Sequence, residues 1–477
     1  MHTEFGIAIM AAGKGTRLKS TRPKVLHEIG GQSLLLHVIA AAKTIAPASQ
    51  IFCIIGHEAE CVRTAVASTG IQFVLQPEQR GTGHALQMLK ADFSLNGLTP
   101  PENLLVLSGD VPLIRPETLT ALCDFHLAEQ AAMTILTAVP PNPHGYGRVL
   151  RVAQNSSEVL AIVEQKSLNP DQLTAPEINS GIYCFNTKAL FAHLDSLSTN
   201  NPHAEFYLTD IAALLVAEHQ RVVATVASNI DEVLGANTIA EMMHLDAALR
   251  LATANKLMSQ GVTIFRPDTV IIDAAIEVAA DTVIEPFVQL RGATKIGAGC
   301  HILSYSVIKD STLGNNVLVR NGCIIDSSTI GDEAKLGPYA HLRPGSDIGE
   351  SAHLGNFVET KNVRLGKGSK ANHLSYLGDA VIGAGVNIGA GAITCNYDGV
   401  HKHMTTLGDN VFVGSDSTLI APLTVGDNAY IAAGSAITED VPADSLAIAR
   451  SRQTTKPGWV AARKSKSSPT PPKLSSS

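Results

Sequence analysis

The stretch from Leu318 to Leu354, LVRNGCIIDSSTIGDEAKLGPYAHLRPGSDIGESAHL, decides the fold of the C-terminal half. Within it Leu318, Ile324, Ile330, Leu336, Leu342, Ile348 and Leu354 recur every six residues without a break. If about a quarter of positions are Ile, Leu or Val, seven successive hits arise by chance with a frequency on the order of 10⁻⁴. Leu407, Val413, Leu419, Val425, Ile431 and Ile437 form a second such series. Glycine often follows the aliphatic position (Gly331, Gly337, Gly349, Gly355, Gly408, Gly414, Gly426), which reads as a permissive turn after each short strand. Six residues per flat face, with a corner after each, make a β-solenoid in which one aliphatic side chain per face stacks on its copy in the next coil. With three hexapeptides per coil, residues 262–441 predict about ten coils and, at about 4.8 Å per coil, a prism about 48 Å long. The period slips near 309–317, 360–365 and 394–407. Each slip is read as an extruded loop, and loops are where sites gather.

Upstream, over residues 5–227, the pattern changes. GIAIMAA, IFCIIG, NLLVLSGDVPLI, MTILTAV and GIYCFN are short apolar runs separated by helix-like segments. Continuous apolarity suits strands covered on both faces, as in mostly parallel α/β sheets. Between Asn237 and Gly261 a linker helix is expected, with Thr238 and Glu241 as a capping box and Gly261 as its stop.

Composition narrows the class. At 477 residues, 45% hydrophobic and 17% charged, the chain has ordinary folded-protein content. No apolar run is long enough to cross a bilayer, and MHTEFGIAIM lacks a basic leader region, so a cytoplasmic protein without membrane association is expected. The seven cysteines are scattered and never spaced as CxxC, which suggests neither a disulfide frame nor a zinc site. Net charge is −7, unevenly spread: after Asp444 there are seven Lys or Arg and no carboxylate, so the tail carries +7 and residues 1–444 carry −14. So acidic a body disfavours a broad nucleic-acid surface. The ending KSKSSPTPPKLSSS reads as a solvated, disordered terminus.

GIAIMAA runs into Gly13-Lys14-Gly15-Thr16-Arg17, followed by Pro23 and Lys24. Glycines let backbone N–H groups approach phosphate, and Arg17 and Lys24 supply charge. Leu18 breaks the dinucleotide fingerprint, and the glycine spacing is wrong for a P-loop. NLLVLSGDVPLI ends in Ser108-Gly109-Asp110, which puts a carboxylate at the edge where open α/β sheets bind ligands. One Asp sharing Mg²⁺ with phosphate and water is usual for that ion. The bland readings are a glycine turn and a turn-initiating Asp.

Taken together, AAGKGTRL, PKVL, QPEQRGTGHA, SGDVPL, GYGRV, IVEQK and INSGIY resemble the sugar nucleotidyltransferases in order and spacing. Over residues 5–450 the chain closely resembles the bifunctional N-acetylglucosamine-1-phosphate uridyltransferase/glucosamine-1-phosphate N-acetyltransferase family. That resemblance implies a Rossmann-like α/β domain over 1–236, a linker helix over 237–261, a left-handed parallel β-helix of hexapeptide repeats over 262–449, and a basic tail over 450–477. It implies acetylation of glucosamine-1-phosphate by acetyl-coenzyme A, then uridylyl transfer from UTP. The product, UDP-N-acetylglucosamine, supplies bacterial envelope polymers, peptidoglycan and lipopolysaccharide among them. By the same resemblance Ala11, Ala12 and Gly13 border the nucleotide, Ser108 and Gly109 also bind substrate, and Arg17 and Lys24 act on phosphate. Gln76, Gly81 and Thr82 select uracil; Gly147, Glu164 and Asn179 hold the sugar. Asp110 and Asn237 bind Mg²⁺, Asn237 also meeting substrate.

In the repeat half, polar residues crowd around the later slips. Arg343 and Lys361 suit a sugar phosphate, with solvated rim as the alternative. His373, in SKANHLSYLGD, suits the removal of an amine proton, since an imidazole titrates near pH 6.5. HLSYLGD and NIGAGAITCNYDG resemble the acetyltransferase half, which implies His373 as base and Tyr376 and Asn387 as further acceptor contacts. The resemblance also implies Ala390, Asn396, Tyr397, Ser415, Ala433 and Arg450 at the coenzyme, and a homotrimer. Cys395 reads as packing, because direct transfer needs no thiol. A nucleotidyltransferase with a passive β-helix, as among adenylyl-sugar pyrophosphorylases, is the nearest rival; it has no use for His373, Tyr376, Asn396 and Tyr397. A nonenzymatic scaffold has no use for the glycine loop and Asp110.

Overall fold

The computed structural model describes residues 4–153 and 156–466. The chain divides into two compact units: one runs up to Gln260 and adds Pro267–Ile276 and Leu290–Gly292, and the other contains Gly261–Arg266, Glu277–Gln289 and the chain from Ala293 on.

The first unit is built on a nine-stranded sheet. Its strands are β1 (Phe5–Ala11), β2 (Ile51–Ile55), β3 (Gln72–Leu75), β4 (Asn103–Ser108), β5 (Met133–Ala138), β6 (Arg148–Arg151), β7 (Val159–Val163), β8 (Ile178–Asn186) and β9 (Val222–Val226). The order is β9-β5-β8-β4-β1-β2-β3, with the β6–β7 hairpin attached to β8. All neighbours in the main order run parallel except β8, which is antiparallel to β4 and β5. Along β1 the pleat sends Phe5, Ile7, Ile9 and Ala11 into one core and Ala8 into the other. Burial on both faces is what made the strand sequences continuously apolar. Helix Ile239–Ser259 carries the capping box, with Thr238 and Glu241 satisfying each other's backbone N–H.

The second unit is a parallel β-helix with three strands per coil. Eleven strands, from Thr263–Ile264 to Leu446–Ala447, stack on its first face, which makes ten coil-to-coil steps. The second face carries Val307–Lys309, Ile324–Asp326, His341–Leu342, Glu359, Tyr376, Ile393–Cys395, Thr418–Ile420 and Ala436–Ile437 in register. The third begins at Glu277–Val278 and ends at Leu423–Val425. Inward aliphatic side chains stack from coil to coil, each contributing about 1.5–3 kcal/mol by leaving water.

Three expectations need correction. At the start of the first hexad series the inward residues are Val319 and Ile325, both 0% exposed, whereas Ile324 is 46% exposed. This coil is one residue short, so the inward phase moves by five between Ile325 and Ile330 and regains the predicted series. Of the three slips, only the last extrudes a loop: first-face strands begin 17 residues apart at 301 and 318 and at 353 and 370, but 25 apart at 387 and 412. The repeated glycines also have another cause. Among the seven named, only Gly337 has a left-handed φ, 84°. A β-carbon at Gly331 would lie 2.6 Å from the Glu350 backbone nitrogen of the next coil, so close backbone approach demands the glycine. Left-handed corners are taken instead by residues such as Asn316, Glu333, Ser351 and Asn410.

In the tail an exposed helix, Trp459–Lys466, brings Arg463 over the Trp459 ring. The expected disorder of the ending fails over Lys464–Lys466, the last turn of that helix, and over residues 467–477 it lies outside the described residues. Among the described residues no helix is long and apolar enough to cross a membrane.

Candidate active sites

At the carboxyl ends of β1 and β4 two cavities adjoin, both lined by Met10 and Gly13. The larger, 480 Å³, is walled by Ala12, Gln76, Gly81, Thr82 and Glu205 among others. Gln76 is 3% exposed, and its Nε2 meets the carbonyl of Gly81 and Nδ1 of His84, each at 3.1 Å. Gly81 has φ 106°, and a β-carbon there would lie 2.6 Å from the Phe206 carbonyl oxygen. Thr82 Oγ1 accepts the Leu208 N–H at 3.1 Å, which fixes the start of helix Thr82–Leu95. A buried, oriented amide beside exposed backbone groups is the kind of wall that discriminates one base from another.

The smaller cavity, 230 Å³, holds the charged groups, with Ala11, Arg17, Lys24, Asp110 and Asn237 on its walls. Lys24 Nζ pairs with Asp110 and donates to Asn237 Oδ1 at 2.8 Å. Arg17 Nη2 donates to the same oxygen at 2.8 Å. Asn237 is placed by the Ala236 N–H on the Asp110 carbonyl, 3.1 Å, and by its own N–H on Glu241, 2.9 Å. Thus the capping box that starts helix Ile239–Ser259 also aims a site residue. Gly109 packs on β1, its N–H donating to the Met10 carbonyl at 3.0 Å; Ser108 faces Gly181.

Two oxygens, one carboxylate and one amide, converge on a single ammonium, and a hard divalent cation accepts that donor set. Among the described residues no three His, Cys, Asp or Glu cluster to cage a metal.

Beside them Gly147, Glu164 and Asn179 meet at a bulge in β8, where its register on β5 shifts between Asn179 and Ile182. Asn179 N–H donates to the Gly147 carbonyl at 2.9 Å, and its side-chain amide donates to Tyr183 at 2.8 Å. Glu164 accepts from Thr209 Oγ1 at 3.3 Å; burial holds its carboxyl above the usual range against that hydrogen bond. His84, Glu205 and Thr209 were not assigned from sequence. His84 lies within a quoted motif, whereas nothing near Glu205 or Thr209 marks them locally.

On the β-helix the residues fall into two rows along the edges of the second face. One edge carries Arg343, then Lys361 and Asn362, then Asp379, then Asn396. Arg343 pairs with Glu359 at 3.0 Å and Lys361 with Asp379 at 3.4 Å. The other edge carries Asn356, His373, Ala390, Ser415 and Ala433, with Arg450 beside Gly434. Tyr376 lies on the face between them, in register with Glu359 and Ile393. Asn387 is not on that face: it sits on the first, between Lys370 and Phe412, across the corner from Tyr376.

His373 is exposed, and its Nδ1 is 2.8 Å from Asn356 Oδ1. An amide oxygen there accepts a proton from Nδ1 and leaves Nε2 its lone pair, the arrangement a general base needs. Asn356 was not found from sequence; it precedes His373 by one 17-residue coil, which is the signal that finds it. The extruded loop carries Asn396 and Tyr397, whose hydroxyl donates to the Gly399 carbonyl at 2.6 Å. In that loop Asp398 accepts the His401 N–H, the His403 ring and the Val400 N–H, which together hold its carboxyl down at about 2.

A MobA-like NTP transferase domain family matches residues 7–175, and a hexapeptide repeat of succinyl-transferase matches residues 404–439. The chain is 61% identical over 458 residues to "Bifunctional protein GlmU" of Koribacter versatilis, covering 96% of this chain and 97% of that one. It is 47% identical over 452 residues to the protein of that name from Trichlorobacter lovleyi, covering 94% and 97%. The Streptococcus agalactiae serotype V protein of that name is 44% identical over 452 residues, covering 95% and 96%.

Proposed function

The chain belongs to the bifunctional GlmU family, and from that premise we propose how its two reactions are divided between its two units and which residues carry each. The protein is a bifunctional transferase. It acetylates glucosamine-1-phosphate, then transfers UMP from UTP to N-acetylglucosamine-1-phosphate, giving UDP-N-acetylglucosamine and pyrophosphate.

We assign uridylyl transfer to residues 1–236, a connecting helix to 237–261, acetyl transfer to 262–449 and a basic tail to 450–477. What supports placing uridylyl transfer there most is the meeting of Lys24 and Asp110, far apart in sequence, in one small cavity that Asn237, at the head of the connecting helix, completes. The sugar phosphate oxygen attacks the α-phosphorus of UTP in line and pyrophosphate departs, with no covalent protein intermediate. Ala11, Ala12 and Gly13 border the nucleotide, Gln76, Gly81 and Thr82 read uracil, and Gly147, Glu164 and Asn179 hold the acetylated sugar. Lys24 and Arg17 offset the negative charge spread over the transferred group. Asp110 and Asn237 would hold Mg²⁺, which when bound neutralises charge on the phosphates.

In acetyl transfer Arg343 exchanges Glu359 for the sugar phosphate, and Lys361 meets the same phosphate from its place beside Asp379. His373 takes the amine proton on Nε2 while Asn356 holds its other nitrogen. The amine attacks the thioester carbonyl of acetyl-coenzyme A, and free thiol leaves. Ala390, Asn396, Tyr397, Ser415, Ala433 and Arg450 line the coenzyme, and Tyr376 and Asn387 meet the acceptor from either side of a corner. A homotrimer with acetyl sites between subunits suits that straddled corner, and we place the enzyme in the cytoplasm. Incubation with glucosamine-1-phosphate, acetyl-coenzyme A and UTP tests the whole reading. Thiol and pyrophosphate should both appear, the second depending on the first unless N-acetylglucosamine-1-phosphate is supplied; pyrophosphate independent of acetylation would reverse the order.

A further inference from the structure

One nearly buried carboxylate beside the acetyl site has no part in the chemistry described above. Asp379, in the strand Tyr376–Ile382, is 8% exposed and has a left-handed φ of 45°. Its Oδ1 accepts from Asn362 Nδ2 at 2.8 Å; its Oδ2 accepts from Asn396 Nδ2 and faces Lys361 Nζ at 3.4 Å. These donors come from the coil before and the coil after. Burial pushes the carboxyl up, but the amides of Asn362 and Asn396 and the Lys361 ammonium outweigh it and hold the group below the ordinary range. The solenoid does not require such a group, because the same corner in earlier coils holds Asp310, Ser327 and Gly345, all exposed.

We propose that Asp379 is a positioning residue for acetyl transfer, fixing the Lys361 ammonium and the Asn396 amide in one frame so that sugar phosphate and coenzyme are presented together. The inference rests on the reading of Lys361 as a phosphate contact and Asn396 as a coenzyme contact. A neutral amide cannot replace the carboxylate: whichever way the amide of an Asp379→Asn side chain turns, its NH₂ faces either Asn362 or the Asn396 and Lys361 donors.

The test is steady-state acetyl transfer by the full-length Asp379→Asn enzyme, with uridylyl transfer from supplied N-acetylglucosamine-1-phosphate as the control for intact protein. KM for glucosamine-1-phosphate and for acetyl-coenzyme A should each rise about tenfold while kcat stays within about threefold. Asn362→Ala, which loosens only the Oδ1 side, should raise both about threefold. Combining Asp379→Asn with Lys361→Ala should give a sugar phosphate KM no worse than Lys361→Ala alone. A lowered melting temperature with both KM values unchanged in either variant would overturn the proposal and leave Asp379 a structural residue. Should Lys361→Ala and Asn396→Ala themselves leave the two KM values unchanged, the site reading beneath the proposal fails with it.

Discussion

The two units solve the placement of reactive groups in opposite ways. In the α/β unit Lys24, Asp110 and Asn237 reach one 230 Å³ cavity from three remote stretches of chain. In the β-helix Asn356 and His373, or Asn362 and Asp379, stand one coil apart and meet through cross-coil register. An open sheet gathers distant segments at its carboxyl edge, whereas a solenoid displays on its outside whatever its period repeats. A site of the first kind depends on the whole domain, and one of the second kind on a few neighbouring coils. The two should therefore fail independently.

The largest expected effect is at the carboxylate proposed to hold Mg²⁺. Asp110→Ala should lower pyrophosphate release by about 10³-fold at saturating Mg²⁺ and leave thiol release from acetyl-coenzyme A unchanged. A parallel loss of both would break the separation. Next, His373→Asn should slow thiol release by about 10²-fold without touching uridylyl transfer from supplied N-acetylglucosamine-1-phosphate. Asn356→Ala, which removes only the partner that orients His373, should cost about tenfold in acetyl kcat; an unchanged rate would take Asn356 out of the site. Smallest is a change in the scaffold alone. Gly331→Ala forces a β-carbon against the next coil and should destabilise the β-helix by about 1 kcal/mol, read as a lower denaturant midpoint with normal uridylyl kcat.

How much of this was legible in the sequence follows the same divide. The hexad period revealed the β-helix because one inward aliphatic per face is a strong, regular demand. It misplaced the inward residue at Leu318 and Ile324, since dropping one residue from a coil shifts the phase while apolar neighbours keep the pattern looking intact. The repeated glycines were visible, but their cause was not, because the clash at Gly331 is with Glu350, a coil away. In the α/β unit the glycine loop and Asp110 could be read locally from a strand and its end. Asn237 could come only through resemblance, as nothing within its own stretch announces a ligand. Asn356, Asp379 and His84 went unassigned because their roles lie in partners that folding brings together. For the two β-helix residues a search at 17-residue spacing from His373 and at 18 from Lys361 would have found them.

The central claim, two separate centres in one chain joined by a diffusing sugar phosphate, is tested most directly by complementation. Asp110→Ala and His373→Asn enzymes are each supplied with glucosamine-1-phosphate, acetyl-coenzyme A and UTP, alone and mixed, and UDP-N-acetylglucosamine is measured. Each variant alone should make almost none, and the mixture should restore its formation. A mixture as inactive as its components would show that the two residues serve a single centre.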